Sequence, residues 1–171
     1  MRSRVILFFL LVGLGYWTFL YAYPYVVQMA FELKIGKERN TLIHSKLPSP
    51  STPDTPNPDF IYTLVFYDLS NGNLRLTGKI PDGLDYFSIA FYESNTFFYQ
   101  LLKPQDFKES HFEVILSEMQ DTKVTGNMVN VVSPSKTGTI IFRYLCKSQR
   151  DTNYISEMQK KSFLTLMRND E

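Results

Sequence analysis

Phe60-Ile61-Tyr62-Thr63-Leu64-Val65-Phe66-Tyr67, then Asp68-Leu69-Ser70-Asn71-Gly72-Asn73, then Leu74-Arg75-Leu76-Thr77-Gly78-Lys79-Ile80, is the stretch that decides the fold. Its first part is apolar and aromatic on both faces, the composition of a strand covered on both sides. Asn71-Gly72 tolerates the positive φ of a tight turn. Leu74, Leu76 and Ile80 then alternate with Arg75, Thr77 and Lys79, the pattern of a strand wet on one side.

The same grammar continues downstream. Pro81-Asp82-Gly83 makes the next turn. Two aromatic strands follow, Tyr86–Tyr92 and Thr96–Leu102, joined through Glu93-Ser94-Asn95. Phe112, Val114 and Leu116 alternate in a short strand. Met128–Val132 and Thr139–Leu145 are two more, separated by the loop from Ser133 to Gly138. Asp151 or Thr152 can cap a final helix in which Ile155, Met158, Phe163 and Leu166 form an apolar stripe near helical spacing. Seven short strands and one helix predict a mainly β, antiparallel sandwich-like domain over residues 59–171 with a C-terminal helix. The 14 Phe and 11 Tyr agree with a strand-rich core, and 171 residues suffice for one such core. No internal repeat is visible.

Upstream, Val5 to Ala22 carries no charge, and the uncharged run continues to Phe31. A helix needs about 20 apolar residues to cross a bilayer, so a transmembrane helix is expected at about residues 5–23, within an anchor segment 1–31. Trp17, Tyr21, Tyr23 and Tyr25 cluster where amphipathic rings settle at headgroup level, and Pro24 marks a kink or the exit. A cleaved signal peptide is disfavoured, because Leu20-Tyr21-Ala22-Tyr23-Pro24 puts bulky rings where small residues are needed. Arg2 and Arg4 on the short side argue that the tail stays inside. The domain is therefore expected on the periplasmic or extracytoplasmic side of the inner membrane. Residues 32–58 read as a juxtamembrane segment and spacer. Five of the nine prolines fall in its second half, which favours extended polyproline II.

Eighteen basic and 17 acidic residues leave a net charge of +1, which argues against an electrostatically driven nucleic-acid binder. No run of like charges offers a polybasic lipid patch. Cys146 is the single cysteine, so no intrachain disulfide forms, and it reads as a small core residue near a strand end. His44 and His111 lack ligands at metal spacing, so neither a metal site nor a cofactor is expected. Nucleophile elbow, zincin, P-loop and dinucleotide motifs are absent; Gly13 and Gly15 fall in the anchor and read as helix-packing residues. One weak polar constellation remains: Asn57, Asp59, Tyr62 and Asp68, with Tyr86, Ser88, Tyr92, Asn95 and Arg143. Such groups can line a ligand pocket. They also fit as turn formers and rim aromatics, Asn57-Pro58-Asp59 at a strand entry and Asp68 at the hairpin.

Asn57-Pro58-Asp59-Phe60-Ile61-Tyr62, Tyr67-Asp68-Leu69-Ser70, Leu74-x-Leu76, Ile80-Pro81 and Tyr86-Phe87-Ser88-Ile89 resemble the opening block of the domain of unknown function 1254 family. The resemblance covers residues 57 to about 145, and it is similar to the family's short, membrane-anchored bacterial branch, with Arg143 on a final strand leading into a helix. It implies a β-rich fold and an envelope location, and it supplies no reaction. In longer relatives a domain of unknown function 1214 follows in the same chain. The resemblance thus implies a separate anchored protein of that second family as companion.

Two functions are compatible with these features. One is an envelope-displayed protein-interaction or small-ligand-binding module. The other is an enzyme or enzyme half-site using a polar pocket around Asp59, Tyr62 and Asp68 with Arg143. Convergence of those side chains with perturbed carboxylates favours the enzyme, and dispersal favours the module.

Overall fold

The computed structural model describes residues 2–35, 38–45, 57, 59–118 and 127–167. Its elements run α1 (Arg2–Ile35), β1 (Ile43–His44), β2 (Phe60–Asp68), β3 (Asn73–Lys79), β4 (Phe87–Glu93), β5 (Phe98–Leu102), a 3-10 turn at Pro104–Asp106, β6 (His111–Ser117), β7 (Val129–Val132), β8 (Thr137–Leu145), α2 (Gln149–Lys160) and β9 (Phe163–Met167). All seven expected strands are present. The strands form two sheets, ordered β1-β2-β8-β4-β5 and β7-β6-β3-β9. The first sheet is antiparallel throughout, whereas β6 and β7 pair in parallel, so the second is mixed.

Alternation explains which side chains meet between the sheets. Ile61, Val65 and Tyr67 of β2, Ile140, Phe142 and Tyr144 of β8, and Phe87, Ile89 and Phe91 of β4 are buried on the inner side of the first sheet. Leu74 and Leu76 of β3 and Phe112, Val114 and Leu116 of β6 meet them from the second. Phe112 stacks on Phe87 at 6.0 Å and leans on Phe142 at 5.8 Å, so aromatic contacts bridge the sheets. Each fully buried side chain of this size contributes about 1.5–3 kcal/mol. Gly138 has no room for a side chain: a Cβ there would run into the Tyr92 carbonyl and the Tyr67 ring.

The C-terminal region differs from the expected single long helix. Ser148, not Asp151 or Thr152, caps α2, its hydroxyl accepting from the Asp151 N–H at 3.2 Å. Ile155 and Met158 are buried as expected, and the buried Gln159 amide donates to Thr63 of β2 at 2.9 Å. The helix ends at Lys160, and Phe163 and Leu166 belong to β9, antiparallel to β3. The stripe misleads because Leu164 and Leu166 also obey a period of two. Leu164 and Leu166 pack against the core, while Phe163 is 63% exposed.

The N-terminal helix runs through Pro24 to Ile35, 34 residues or about 51 Å. It is long and apolar enough to cross a membrane, and the protein buries none of its apolar window. Its last turns fold onto the β domain. Residues 46–56 and 58 of the proline-rich spacer lie outside the described residues.

Candidate functional site

The structure separates the candidate polar residues into three groups. Asn57 and Asp59 form a strand-entry turn: the Asn57 side chain accepts from the Asp59 N–H at 3.0 Å and its carbonyl from the Phe60 N–H at 3.3 Å. Tyr86 stands edge-on to Phe60, ring centroids 5.8 Å apart, at the same end of the sheet.

Asp68 lies six residues beyond Tyr62 along β2, about 20 Å away. Its carboxylate accepts from the Ser70 N–H at 2.9 Å and from Arg39 at 3.4 Å. Those contacts, Ser70 foremost, hold its carboxyl below the usual carboxylate range. Arg39 also pairs with Glu32 of α1 at 2.9 Å. Asn40, in a left-handed conformation at φ 57°, accepts from the Asp68 N–H at 2.7 Å and donates to its carbonyl at 2.8 Å. Asp68 is thus the joint between helix and sheet. Asp59, Tyr62 and Asp68 do not share a pocket.

Tyr62, Arg143 and Ser88 do come together. They occupy one rung across β2, β8 and β4, directly opposite one another in register. Opposite pairs in an antiparallel sheet share a face, with Cβ atoms about 5 Å apart. This is the outer face of the first sheet, away from the core. Arg143 extends toward the hairpin end and donates to the Tyr92 hydroxyl at 2.7 Å. Ala90, between Ser88 and Tyr92 on the same face, is fully buried. The guanidinium meets no carboxylate among the described residues. Ser88 is fully buried beside it, and its hydroxyl has no hydrogen-bond partner among the described residues. Burial pushes the Tyr62 phenol above its usual range, and the Arg143 charge works against that shift.

Next to this rung the end of α1 crosses the same face and leaves a cleft of about 290 Å³. Val27, Gln28 and Phe31 form one wall, and Tyr92, Thr96, Thr139 and Ile141 the other. The Gln28 amide donates to the Thr139 hydroxyl at 2.6 Å and to Glu32 at 3.0 Å. Phe31 packs edge-on against Phe66 at 5.7 Å. The cleft is mostly apolar, with Gln28, Thr96 and Thr139 as polar lining residues; Arg143 lies outside the lining and bonds the hydroxyl of one lining residue, Tyr92. Its size lies at the lower end of small-molecule sites.

Sequence reasoning named Tyr62, Ser88, Tyr92 and Arg143 among nine candidates without their register, and it did not name Gln28, Thr139 or Ile141. One signal was available: Gln28 is an amide inside an otherwise apolar helical run, and a buried amide needs a partner. Among the described residues no group of three His, Cys, Asp or Glu could hold a metal. His44 contacts Thr63 at 3.0 Å, and burial lowers its pKa. His111 faces Glu109 at 3.1 Å. Cys146 is half-buried, packs against the core and touches the Thr152 hydroxyl at 3.2 Å.

A two-sheet β domain led by a helix apolar enough to cross a membrane is the class this fold defines. Within it, the chain belongs to the family described as "Protein of unknown function (DUF1254)", which it matches over residues 39–165. The fold is similar to that of the VPA0106 protein from Vibrio parahaemolyticus, with a TM-score of 0.64 at 11% identity over 86% of this chain and 36% of that one. A structure of an uncharacterised protein from Burkholderia cenocepacia aligns with a TM-score of 0.49 at 19% identity, over 90% of this chain and 41% of that one. The chain therefore spans 36% and 41% of the length of these two solved proteins. No curated protein sequence matches it.

Proposed function

We propose that this protein is a single-pass, membrane-anchored binding module of the bacterial envelope. In this reading α1 crosses the inner membrane at about residues 5–23 and the β domain stands on the periplasmic side. The cleft between α1 and the sheet takes a small amphiphile, its apolar part against Val27, Phe31 and Ile141 and its anionic end toward Arg143. Arg143 carries the reading: among the described residues its half-buried guanidinium meets a tyrosine hydroxyl and no carboxylate, beside a buried serine hydroxyl that has no hydrogen-bond partner among them. An arginine so placed keeps most of its donors for a carboxylate or phosphate. The dispersal of Asp59, Tyr62 and Asp68 supports a module over an enzyme half-site. A companion of the domain of unknown function 1214 family is proposed as partner on the strength of the family resemblance.

The test is thermal unfolding of the full chain in lipid nanodiscs with octanoate or octanol. Octanoate is expected to raise Tm more than octanol, and Arg143→Gln to abolish that difference. A charge-assisted hydrogen bond is worth about 1.5–3 kcal/mol, so octanoate affinity should fall on the order of 10- to 100-fold in the variant. Equal shifts from both compounds, unchanged in Arg143→Gln, would defeat the ligand reading. The pairing is tested separately: a tagged chain drawn from native membranes in mild detergent should bring a companion-family protein in near-equal amount.

A further inference from the structure

The route of α1 over the sheet says which part of the domain lies nearest the membrane. Val27 lies against Tyr92 and Thr96, at the β4–β5 end of the sheet. Gln28 meets Thr139 on β8, and Phe31 meets Phe66 on β2. From Val27 to Phe31 the helix rises about 6 Å while its contacts pass from β4 over β8 to β2, two strand spacings or about 9.6 Å. The end of α1 therefore crosses the strands, passing the β4–β5 hairpin first and β2 last as it leaves the span. Of the first sheet's strands that α1 crosses, the hairpin is the closest to the bilayer.

That hairpin presents two largely exposed aromatic side chains, of which Phe98 leans edge-on against Tyr92 at 5.7 Å. Phe97 is 67% exposed and Phe98 53% exposed. The turn is held firmly: the Glu93 N–H donates to the Phe97 carbonyl at 2.9 Å, the Thr96 N–H to the Glu93 carbonyl at 3.0 Å, and the Phe97 N–H to the Asn95 side chain at 3.0 Å. Thr96 takes a left-handed conformation at φ 67°, an uncommon choice for a β-branched residue and unfavourable by about 1–3 kcal/mol. The turn thus maintains strain while pointing two phenylalanines away from the core. Tyr21, Tyr23 and Tyr25 mark the headgroup level on the adjacent helix.

We propose that the β4–β5 hairpin is a second membrane contact, with Phe97 and Phe98 inserted into the headgroup–acyl boundary of the bilayer that α1 crosses. The proposal rests on the reading of α1 as a span, and it holds whichever side of the membrane carries the domain. Two phenylalanines at the interface would restrain the domain about the helix axis and keep the cleft at a fixed height above the lipid.

Trp17 is the single tryptophan, so the native protein and two variants give three single-tryptophan reporters. They are the full chain as it stands, Trp17→Phe with Phe97→Trp, and Trp17→Phe with Phe163→Trp, the last at an exposed site on the other sheet. Each is reconstituted into phosphatidylcholine vesicles with and without lipids brominated near the headgroup end of the acyl chain. The expected result is quenching and a blue-shifted emission for the native protein and for the Phe97→Trp reporter, with an unquenched, water-like spectrum for the Phe163→Trp reporter. A water-like Phe97→Trp reporter beside a quenched native Trp17 would overturn the hairpin contact and leave the span intact. An unquenched native Trp17 would overturn the span and the hairpin contact with it. Equal quenching at both introduced sites would overturn the proposal in favour of a domain lying unspecifically on the lipid.

Discussion

The two faces of the β1-β2-β8-β4-β5 sheet are made by the same strands and differ in what covers them. The inner face carries Ile61, Val65, Tyr67, Ile140, Phe142 and Tyr144 and is sealed by the second sheet. The outer face carries Tyr62, Phe66, Ser88, Ala90, Tyr92, Thr139, Ile141 and Arg143, and the last turns of α1 cover its Tyr92–Thr139–Phe66 end. The inner face satisfies its apolar groups within the domain. Among the described residues the outer face leaves an arginine without a carboxylate and a serine without a partner, beside a cleft. A buried polar group without a partner calls for a physical explanation, and the proposed ligand is one.

Damage to the inner face should have the largest effect. Phe142→Ala removes a ring in contact with Phe112 and should cost about 3–5 kcal/mol, read as a fall in the chemical denaturation midpoint. Gly138→Ala should be comparably harmful, because the Tyr92 carbonyl is backbone and cannot step aside. Tolerance of both changes would mean that the inner face is not the structural one.

The joint between helix and sheet should respond less and more locally. Gln28→Ala strips the buried Thr139 hydroxyl of its partner, worth about 1–3 kcal/mol. The account expects faster amide exchange across the end of α1 with little change in the β core. A global fall in stability would show that helix and domain unfold as one unit. Arg143→Gln should be milder still, about 0.5–1.5 kcal/mol from the lost bond to Tyr92, while its effect on octanoate is large.

The smallest effect concerns pH. The folded pKa of Asp68 lies below the ordinary value of 3.8, so its contribution is present above that value and lost as pH falls through the folded pKa. Acidification should therefore loosen the Arg39–Asp68 joint at the bottom of the acid range, seen as faster tryptic cleavage at Arg39 after a brief acid pulse. Asp68→Asn should remove that acid dependence and leave a joint that is slightly loose at every pH. An unchanged acid response in the variant would show that the joint does not depend on Asp68.

The seven strands were legible because each obeys a period of two or is apolar on both faces between turn residues. Phe163 and Leu166 were not, since Leu164 and Leu166 satisfy strand alternation while the same stretch extends the helical stripe of Ile155 and Met158. The parallel β6–β7 pair has no signature in four residues of β7. Of the site, the Tyr62–Arg143–Ser88 rung was foreseen as a set of residue types, without the register that makes them neighbours. Asn57 and Asp68 satisfy their own turns, as local hydrogen bonding of Asn and Asp side chains commonly does. The cleft was hidden because it depends on residues far apart in the chain, such as Gln28 and Thr139.

Amide hydrogen exchange of the full chain in nanodiscs, with and without octanoate, tests the central claim that the outer face binds. Slower exchange confined to residues 25–33, 88–96 and 139–143 is the predicted result. Slowing around Asp82–Asp85 and Arg150–Tyr154 instead, where the surface has a separate depression of about 250 Å³, would contradict it, as would no change anywhere.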